Sequence, residues 1–537
     1  MSALTRKLTR TIWNTKGQFL AMVAVVAIGI SIYIAMATAF TNLTMSQREF
    51  YQENNFADYY FQVVKAPQEI TRQIEEVPGV SKATGRIQKD VPIIKSGGER
   101  ATARLTSYPL PMDKEVNRIH ILRGSLFQKY PPGGSIEVLV DPQYAAFNNL
   151  GLFDTITIVA EGRQIPLTVT GTATSPEFIY ALKDAASLAP EPKTFGIIML
   201  PHNQAQQILN LPGQINQVVV KFVPGTDEEK TADQIKKLLE PYGNLASYPR
   251  KQQLSHAIMQ GELDGLQTSS RFMPLIFLSI AAAIQFILLR RMIKVQRLQI
   301  GVMKALGYKN SQIIGHYTGY ALAVTLLGTI LGTLLGLLFA SSISQIYTRF
   351  FNLPEAISGV NFGAVARSFL LSTAVGAIAG LTASRQVLSI NPAEAMRPEP
   401  PKSSSKTLLE KWQWLWSKLD PAWKMSLRTA ARNKMRFIVT LMGMIGAVAM
   451  LLLSLFANDS VDYMLDRHFQ QEIHYDYLVR FSAPLKEGEL YNISRLEGVL
   501  KAEPILEMPV KIHYQGRSED DLLIGLNPDT ALKSIFD

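Results

Sequence analysis

The chain of 537 residues carries no cysteine, which excludes disulfides, thiolate nucleophiles and Cys-based metal sites. Its 47% hydrophobic residues and slightly positive mean hydropathy indicate that part of the apolar content does not belong to a soluble core. The net charge of +10 does not predict a nucleic-acid partner, because the basic residues cluster beside hydrophobic runs, as they do in membrane proteins.

Five apolar segments are long enough to cross a bilayer, which takes roughly 20 apolar residues in a helix. The one charged residue within them is Arg367, near the start of the fourth, from where a long side chain can reach the interface. The sequence therefore predicts a multi-pass α-helical membrane protein. Its predicted spans are residues 19–40, 272–289, about 319–344, about 362–383 and 437–457.

The charges beside the spans predict their orientation. Lys and Arg accumulate on the cytoplasmic side, and the connector at residues 294–313 contains four basic residues and no acid. The same holds for the segment before the first span, which contains Arg6, Lys7, Arg10 and Lys16. Both segments are predicted to be cytoplasmic, which places residues 42–271 outside. The first span also resembles a signal peptide, but its apolar run exceeds the usual signal core of about 7 to 15 residues.

An internal repeat links the two ends of the chain. Arg10-Thr11, Lys16 and Phe19 recur as Arg428-Thr429, Lys434 and Phe437, and "ADYYFQVVKAP" from Ala57 is echoed by "YDYLVRFSAP" from Tyr475. "IEEVPGVSKA" at residues 74–83 also matches "ISRLEGVLKA" at residues 493–502. We interpret the first span and the start of the outer domain as a duplicated unit. A full second unit would carry three more spans, and the sequence stops at Asp537 before them, so a truncated chain and a natural end both stay open.

The outer region is predicted to be α+β. Strand-like alternation at residues 58–65 leads into a short helix at 67–77 and extended chain at 80–94. A similar strand-helix order returns at residues 215–243, and strands with one helix lie between. This order predicts two subdomains, one of them built from segments on either side of an insertion.

No catalytic, cofactor or metal site is predicted in this region. The seven histidines fall at no metal-ligand spacing, and no Ser motif of the nucleophile-elbow type occurs. The charge run of Asp227, Glu228 and Glu229 is interpreted as a solvated helix start rather than a metal site.

The polar and small residues of the spans indicate packing rather than ion transport. No ionisable group lies in the core of a span, and Gln285 is expected to form an interhelical hydrogen bond. Gly328, Gly332 and Gly336 lie at four-residue spacing, so another helix can approach closely, either from the same chain or from a second protomer of a homo- or heterodimer. Since no phosphate-binding G-x-x-x-x-G-K-[ST] loop occurs, any ATPase must be a partner.

The connector carries a specific motif, "RLQIGVMKALGYKNSQI", with Ile300-Gly301, Lys304 to Gly307 and Gln312-Ile313 as its fixed points. Together with "INPAEAMRPE" at residues 390–399 and the large domain after the first span, it resembles the FtsX-like permease family over about residues 4–398. These are the membrane subunits of ABC systems of the MacB kind. Acids often precede the Ile-Gly in that family, where Arg297 and its neighbours stand here. Lys309 replaces a capping Ser, so Asn310 or Ser311 is expected to cap the next helix.

The resemblance implies a MacB-like extracytoplasmic domain, the start of a second one, and a location in the plasma or inner membrane. It also implies a cytoplasmic ABC ATPase that pushes on a short coupling helix, at about residues 294–307, so that motion reaches the outer domain. The implied function is export or extraction of a peptide, lipid or lipoprotein. The alternative is a regulator of an extracytoplasmic protein such as a peptidoglycan hydrolase. The implied coupling residues are Arg297, Ile300, Gly301, Lys304, Ala305, Leu306 and Gly307.

Helical spacing predicts two faces on the coupling helix. Arg297, Gly301, Lys304 and Tyr308 form one stripe, expected to face the ATPase, beside an apolar stripe that includes Leu298 and Leu306. The predicted organisation has the first span in residues 1–41, the outer domain in 42–271 and the permease core in 272–384. A cytoplasmic linker at 385–436, the fifth span at 437–457 and a partial second outer domain at 458–537 complete it.

Overall fold

The computed structural model describes residues 3–534 apart from 96–99, 129–130, 132–133, 185–186, 188, 355–356, 396–416, 418, 433, 480, 482–484 and 515–516. The chain divides into two compact units, Met1–Pro400 and Pro401–Asp537. Residues 396–416, 418 and 433 of the predicted linker, and with them the end of the "INPAEAMRPE" motif, lie outside the described residues.

Helices occupy both units. In chain order they are α1 (Ala3–Asn14), α2 (Lys16–Glu53), α3 (Ile70–Glu75), α4 (Pro142–Phe147), α5 (His202–Ile208), α6 (Glu228–Leu239), α7 (Leu254–Val295), α8 (Arg297–Ala305), α9 (Asn310–Phe350), α10 (Phe362–Ser384), α11 (Pro392–Ala395), α12 (Pro421–Arg432), α13 (Lys434–Asp466) and α14 (Leu490–Ser494). A 3-10 helix, Arg385–Ser389, continues α10.

Within the described part of the chain, four helices are long and apolar enough to cross a membrane: α2, α7, α9, and α10 with its 3-10 continuation. They contain the first four predicted spans. The fifth, residues 437–457, lies on α13 and stays a prediction. The helices α2, α7 and α9 have 38, 42 and 41 residues. At 1.5 Å per residue each is roughly 60 Å long, about twice the hydrocarbon thickness of a bilayer.

The four helices form one bundle around α2. Both α7 and α9 pack against α2, and α10 packs against α9 and α7. Their shared core includes Val26, Ile30 and Ile34 of α2 with Leu278, Leu289 and Val324 from its neighbours. Long apolar side chains on the outer faces of α7, α9 and α10 stay exposed, as expected for residues that face lipid.

The outer region contains two sheets and confirms the predicted insertion. A four-stranded antiparallel sheet has the order β11-β1-β10-β2, from Asn244–Pro249, Tyr59–Pro67, Gln214–Phe222 and Val80–Arg86. The second sheet is inserted between β2 and β10 and has the order β5-β8-β6-β9-β4-β3-β7. Its strands are β3 (Gln88–Ile94), β4 (Arg100–Tyr108), β5 (His120–Gly124), β6 (Glu137–Val140), β7 (Thr155–Ala160), β8 (Arg163–Thr174) and β9 (Phe195–Pro201).

The seven-stranded sheet closes on itself because β7 pairs with both β3 and β8. Its interior is an apolar core that includes Val91, Leu105, Ile158 and Ile198. The four-stranded sheet has a separate core, formed where α3 and α6 cover one face. Each subdomain therefore buries its own apolar side chains.

The second unit extends the internal repeat. Beyond α14, which corresponds to α3, the chain forms an antiparallel hairpin of β12 (Ile505–Tyr514) and β13 (Arg517–Leu526). This hairpin takes the place of β3 and β4 in the first unit, which pair in the same antiparallel manner. The duplication therefore reaches further along the chain than the sequence match shows.

Candidate functional site

The short helix α8 connects the two longest spanning helices. Only Gln296 separates it from α7, and Gln296 Oε1 accepts a hydrogen bond of 2.8 Å from the Tyr317 hydroxyl of α9. After α8, Gly307 adopts a φ of 89° in the left-handed region, where glycine carries no steric cost. The Tyr308 N–H then bonds back to the Met303 carbonyl at 3.1 Å, which ends the helix.

One face of α8 packs on the chain that follows the fourth span. Ile300 and Gly301 are buried, and Ile300 lies in a small core with Ile293, Val387 and Ala395. A Cβ atom on Gly301 would lie 2.6 Å from the Ala395 Cβ atom, so only glycine permits this contact with α11. Residues 300–307 thus contact residues 390–395, the described part of the second motif.

Lys304 points toward the protein, which makes the predicted basic outer stripe wrong at this position. Its Nζ donates to the carbonyls of Val387 at 2.7 Å and Ile390 at 2.8 Å. Carbonyls at a helix C-terminus lack intrahelical donors, and the ammonium group supplies one for the end of the 3-10 helix. Burial lowers the pKa of Lys304.

The outward face of α8 is apolar instead. Leu298 is 56% exposed, Val302 40% and Leu306 73%, and Ala305 is exposed beside them. The predicted apolar stripe therefore exists, but it faces away from the bundle. Exposed apolar patches of this kind are typical of surfaces that contact another protein or a membrane. We call Leu298, Val302, Ala305 and Leu306 the α8 apolar face.

The start of α9 differs from the prediction. The helix begins at Asn310, so Lys309 occupies the capping position and neither Asn310 nor Ser311 takes it. The Gln312 side chain compensates by accepting a 3.0 Å hydrogen bond from the Lys309 N–H. This is the reciprocal half of a capping box, which needs Glu or Gln at the third helical position.

The glycine stripe of α9 contacts α2 of the same chain. Cβ atoms on Gly328, Gly332 and Gly336 would lie 2.7 Å from Val26 Cβ, 2.6 Å from the Ala27 carbonyl oxygen and 2.7 Å from Ile34 Cβ. A stripe of small residues lets two helix backbones approach closely. Of the two alternatives, a span of the same chain or a second protomer, the structure places the first against the stripe.

A second small-residue face on α10 escaped the sequence analysis. Ser368, Ser372, Gly376 and Gly380 repeat at four-residue spacing and are buried against α9, where Thr329 Oγ1 donates to Ser372 Oγ at 2.6 Å. Its sequence signal is the four-residue spacing of serine together with glycine, both of which are small. The prediction for Gln285 is confirmed, since its Nε2 donates to the Ala321 carbonyl of α9 at 3.0 Å.

The outer end of α7 is attached to the inserted subdomain. Its capping residue Gln253 accepts from the His256 N–H at 2.7 Å and donates from Nε2 to the Glu177 carbonyl at 2.8 Å. One residue into the helix, Ser255 Oγ accepts from the Tyr180 N–H at 2.7 Å. Hydrogen bonds therefore attach the segment from Glu177 to Tyr180 to the start of α7.

The same segment holds a fully buried ion pair. Arg86, 1% exposed at the end of β2, donates two hydrogen bonds of 2.5 Å to the carboxylate of Glu177, which is 3% exposed. Its Nε donates to Gln217 on β10 at 2.6 Å. Burial by itself lowers the pKa of Arg86, and the facing carboxylate more than reverses this, so its pKa is raised. The pair joins the four-stranded sheet, the insertion and α7 at one point.

The outer ends of α2 and α9 reach the same place. The Tyr51 hydroxyl of α2 lies 3.2 Å from His256 Nδ1 of α7, and the Tyr347 hydroxyl of α9 donates to Glu262 of α7 at 2.9 Å. A common core surrounds these bonds and includes Phe50, Phe56, Tyr180, Met259 and Phe351. We use the name stalk head for the ends of α2, α7 and α9 that carry these contacts, together with residues 177–180.

The repeat had marked one polar residue of the stalk head. Asp58, whose counterpart is Asp476, lies where α2 gives way to β1. Its carboxylate accepts from the Phe222 N–H at 2.9 Å and pairs with Arg250, whose Nε donates to the Ala57 carbonyl at 2.7 Å. Asp58 thus joins the incoming helix to the segment that starts α7. No sequence pattern had marked Arg86 or Glu177, because each gains its partner only through the fold.

Among the described residues, no group of three or more His, Asp or Glu side chains could hold a metal ion. Asp227 caps α6 by accepting from the Lys230 N–H at 3.2 Å, as expected for a helix start.

Comparison with known protein families gives two consecutive matches. The MacB-like periplasmic core domain matches residues 19–238, and the FtsX-like permease C-terminal domain matches residues 271–392. The chain belongs to the FtsX-like, MacB-type family of ABC transporter permeases. No curated protein matches the permease.

Two solved structures are similar to part of the permease. The extracellular domain of the noncanonic ABC-type transporter YknZ from Gram-positive bacteria is 12% identical, with a TM-score of 0.26, over 36% of this chain and 98% of that one. The periplasmic region of MacB from Actinobacillus actinomycetemcomitans is 10% identical, with a TM-score of 0.26, over 41% of this chain and 97% of that one.

The two family matches cover successive parts of the first unit, Met1–Pro400. The MacB-like match runs from α2 to α6 and includes every strand of the two sheets except β11. The FtsX-like match covers the membrane part of α7 with α8, α9 and α10. The α8 apolar face lies in the second match and Arg86 and Glu177 lie in the first, so α7 joins the two regions.

Proposed function

We propose that the permease is the membrane subunit of an ABC complex and transmits the ATP-driven motion of a separate ATPase to its outer domain. The substrate is a peptide, lipid or lipoprotein that is exported or extracted from the membrane. The observation that carries this proposal is α7, a single helix of 42 residues that starts at the buried Glu177 segment and ends beside α8. A rigid helix of roughly 60 Å can carry a displacement from one end to the other.

The packing of α8 supports its role as the receiving element. A partner that binds the α8 apolar face and moves it must also move Ile300 and Gly301, which are buried against α11 and Val387. The bonds from Lys304 to the end of the 3-10 helix couple α8 to α10 as well. A push on α8 therefore acts on the fourth span and on α7 together.

The stalk head supports the other end of the path. There, α7 and α2 bond through His256 and Tyr51, and α7 reaches the inserted subdomain through Gln253 and Glu177. Displacement of α7 relative to α2 would tilt the insertion against the four-stranded sheet, because Arg86 holds the Glu177 segment at the end of β2. The outer domain would thus change shape when the ATPase acts.

The membrane orientation follows from the same proposal. The basic residues before α2 and in the connector support a cytoplasmic location for both segments, on the side of the proposed ATPase, with the two sheets on the opposite side. The permease would then lie in the plasma or inner membrane with its N-terminus inside.

A second function fits the same path. If the outer domain bound an extracytoplasmic protein such as a peptidoglycan hydrolase, its change of shape would regulate that protein and move no substrate. In this case the outer domain would act on a bound protein instead of a transported substrate, while α8, α7 and the stalk head would transmit motion in the same way.

The test begins with tagged full-length permease purified from its native membranes, to identify an associated ATPase, followed by reconstitution of that complex in nanodiscs. Leu298→Asp and Leu306→Asp should abolish ATPase association and its stimulation, because a charge enters the α8 apolar face. Leu245→Asp, at a residue 55% exposed in the outer domain, introduces the same charge away from α8 and should leave association intact.

The outcomes separate the candidate functions. Retained ATPase association in both α8 variants would disprove the role of this helix. An associated ATPase that drives a substrate across or out of proteoliposome membranes supports transport. ATP-dependent control of a bound hydrolase without substrate movement supports regulation.

A further inference from the structure

The helix α1 is separated from α2 by Thr15 and packs against the bundle at the end of the membrane-spanning part. Thr15 breaks the helix with φ −116° and ψ 28°, and its hydroxyl lies 3.1 Å from the Tyr320 hydroxyl of α9. The Leu8 side chain reaches to within 4.0 Å of a Cβ position on Gly319, where the apolar part of α9 starts. One face of α1 is thus held at the boundary between the spans and the aqueous side.

The opposite face of α1 combines cations with an aromatic ring. Arg6, Arg10 and Trp13 are exposed and follow each other at helical spacing, and Trp13 is 75% exposed. Lys16 Nζ lies 6.0 Å from the centre of the Trp13 ring. The first acidic residue of the chain is Glu49, so no acid in the sequence near α1 offsets these charges.

The internal repeat gives independent support. The helix α12, Pro421–Arg432, has the same length as α1 and the same place before a long helix. Cations recur at three matching positions, where Arg6, Arg10 and Lys16 correspond to Lys424, Arg428 and Lys434.

The apolar residues of α1 differ from those at the matching positions of α12. Leu8 and Ile12, which pack toward the bundle, correspond to Ser426 and Ala430. Within this one chain, the duplicated helices have kept the positive charge and changed the packing residues. Trp423 of α12 is 63% exposed, and residues 421–458 contain no acid.

We propose that α1 and α12 each bind anionic phospholipids, with the cations on the lipid phosphates and the exposed Trp among the headgroups. Trp prefers the membrane interface, and basic residues beside a span attract anionic lipids. Both helices directly precede an apolar helix, so headgroups are the negative groups available at that depth. This inference concerns a lipid contact that is additional to the proposed transport path and does not depend on which face is cytoplasmic.

The test uses full-length permease in phosphatidylcholine nanodiscs that contain increasing fractions of phosphatidylglycerol. Trp13 becomes the only tryptophan, which can be excited selectively at about 295 nm, when Trp412, Trp414, Trp416 and Trp423 are changed to Phe. The first three of these lie outside the described residues. Brominated lipids quench Trp on contact. Brominated phosphatidylglycerol should quench Trp13 at a lower mole fraction than brominated phosphatidylcholine, and 1 M salt should remove the difference.

The charge variants give the expected magnitude. Each cation near an anionic surface contributes roughly a fivefold preference, so R6Q/R10Q should raise the phosphatidylglycerol fraction for half-maximal quenching by roughly 25-fold. R6K/R10K should restore the wild-type value. K424Q/R428Q is the matched control, because it removes two charges from the other helix: it should leave Trp13 unchanged and shift a reporter that retains only Trp423.

Three results would overturn the inference. The first is equal quenching of Trp13 by both lipids at low salt, and the second is an unchanged titration in R6Q/R10Q. The third has two parts: bound ATPase abolishes the quenching of Trp13, and R6Q/R10Q weakens binding of the ATPase but not of the lipid. That last result would assign the cations of α1 to an acidic protein surface.

Discussion

Glu177→Gln should loosen the stalk head, because it leaves Arg86 as an uncompensated charge in the protein interior. Arg86 and Glu177 are 1% and 3% exposed, and both guanidinium NH groups bond to the carboxylate. Gln217 contacts only the Nε of Arg86 and carries no charge, so it cannot replace the lost carboxylate.

Removal of one partner from a buried ion pair costs about 3–5 kcal/mol. We expect E177Q to lower the free energy of local unfolding by that amount at β2 and at the start of α7. This corresponds to roughly a hundredfold to several-thousandfold faster amide exchange. The double variant R86Q/E177Q should lose less than E177Q, since it leaves no charge buried.

Hydrogen exchange with mass spectrometry on full-length permease in nanodiscs measures this effect. Glu75→Gln is the matched control, because it breaks an ion pair that is partly exposed. Glu75 of α3 pairs with Lys82, which lies on β2 as Arg86 does, and both side chains are 33% exposed. Exposed pairs contribute about 0–1 kcal/mol, so E75Q should change exchange by less than about fivefold.

The reasoning fails if E177Q and E75Q accelerate exchange equally, or if R86Q/E177Q is no more stable than E177Q. Faster exchange at β2 without any change at the start of α7 would show that the ion pair does not connect the two.

Three further predictions concern packing, the α8 contact and pH. Gly332→Ala should lower the free energy of unfolding in detergent by about 1–3 kcal/mol, because the new Cβ atom would collide with the Ala27 carbonyl oxygen. Gly315→Ala is the control, and it should be neutral or slightly stabilising because no atom lies within 4 Å of its Cβ position. Lys304→Met should speed amide exchange at residues 385–395 by roughly tenfold or more, since two hydrogen bonds to a charged donor are lost, while Lys309→Met, an exposed lysine nearby, should not. Burial lowers the pKa of His202 to about 4, so the fold favours the neutral ring, and this stabilisation is lost as the pH falls from about 6.5 to 4. The measurement is amide exchange of strand Phe195–Pro201, corrected for intrinsic rates, across that pH window. The free energy of opening should fall by up to about 3 kcal/mol more in the wild type than in His202→Asn, and an equal pH dependence in the two proteins would contradict this.

Apolar content predicted the spans well, but not the full length of the helices. The second span was placed at residues 272–289, whereas α7 begins at Leu254. The additional turns carry the charged, exposed residues Glu262 and Asp264, and they also carry Met259 and Leu263, which are buried in the stalk head. A hydropathy window averages these residues and ends the span at the first charges, although the helix continues because its buried apolar residues pack on the outer domain.

The coupling helix shows a different limit. Spacing correctly grouped Arg297 with Lys304 and Leu298 with Leu306, but it could not decide which group faces the bundle. That choice depended on the carbonyls of Val387 and Ile390, which lie far along the chain and offer Lys304 two acceptors. The Arg86–Glu177 pair escaped for the same reason, since each residue alone is an ordinary charge in an ordinary strand or turn.

The place of the insertion has an evolutionary consequence. Because β2 and β10 are antiparallel neighbours, with Arg86 opposite Gln217, residues 87–213 leave and return at adjacent points of the four-stranded sheet. A short hairpin turn could join the two strands in their absence. The parts of the closed sheet that lie away from Glu177 and its contacts can therefore be enlarged or shortened without altering the strand order of the four-stranded sheet. Selection on what the outer surface contacts can then proceed while the membrane helices and their connector stay the same.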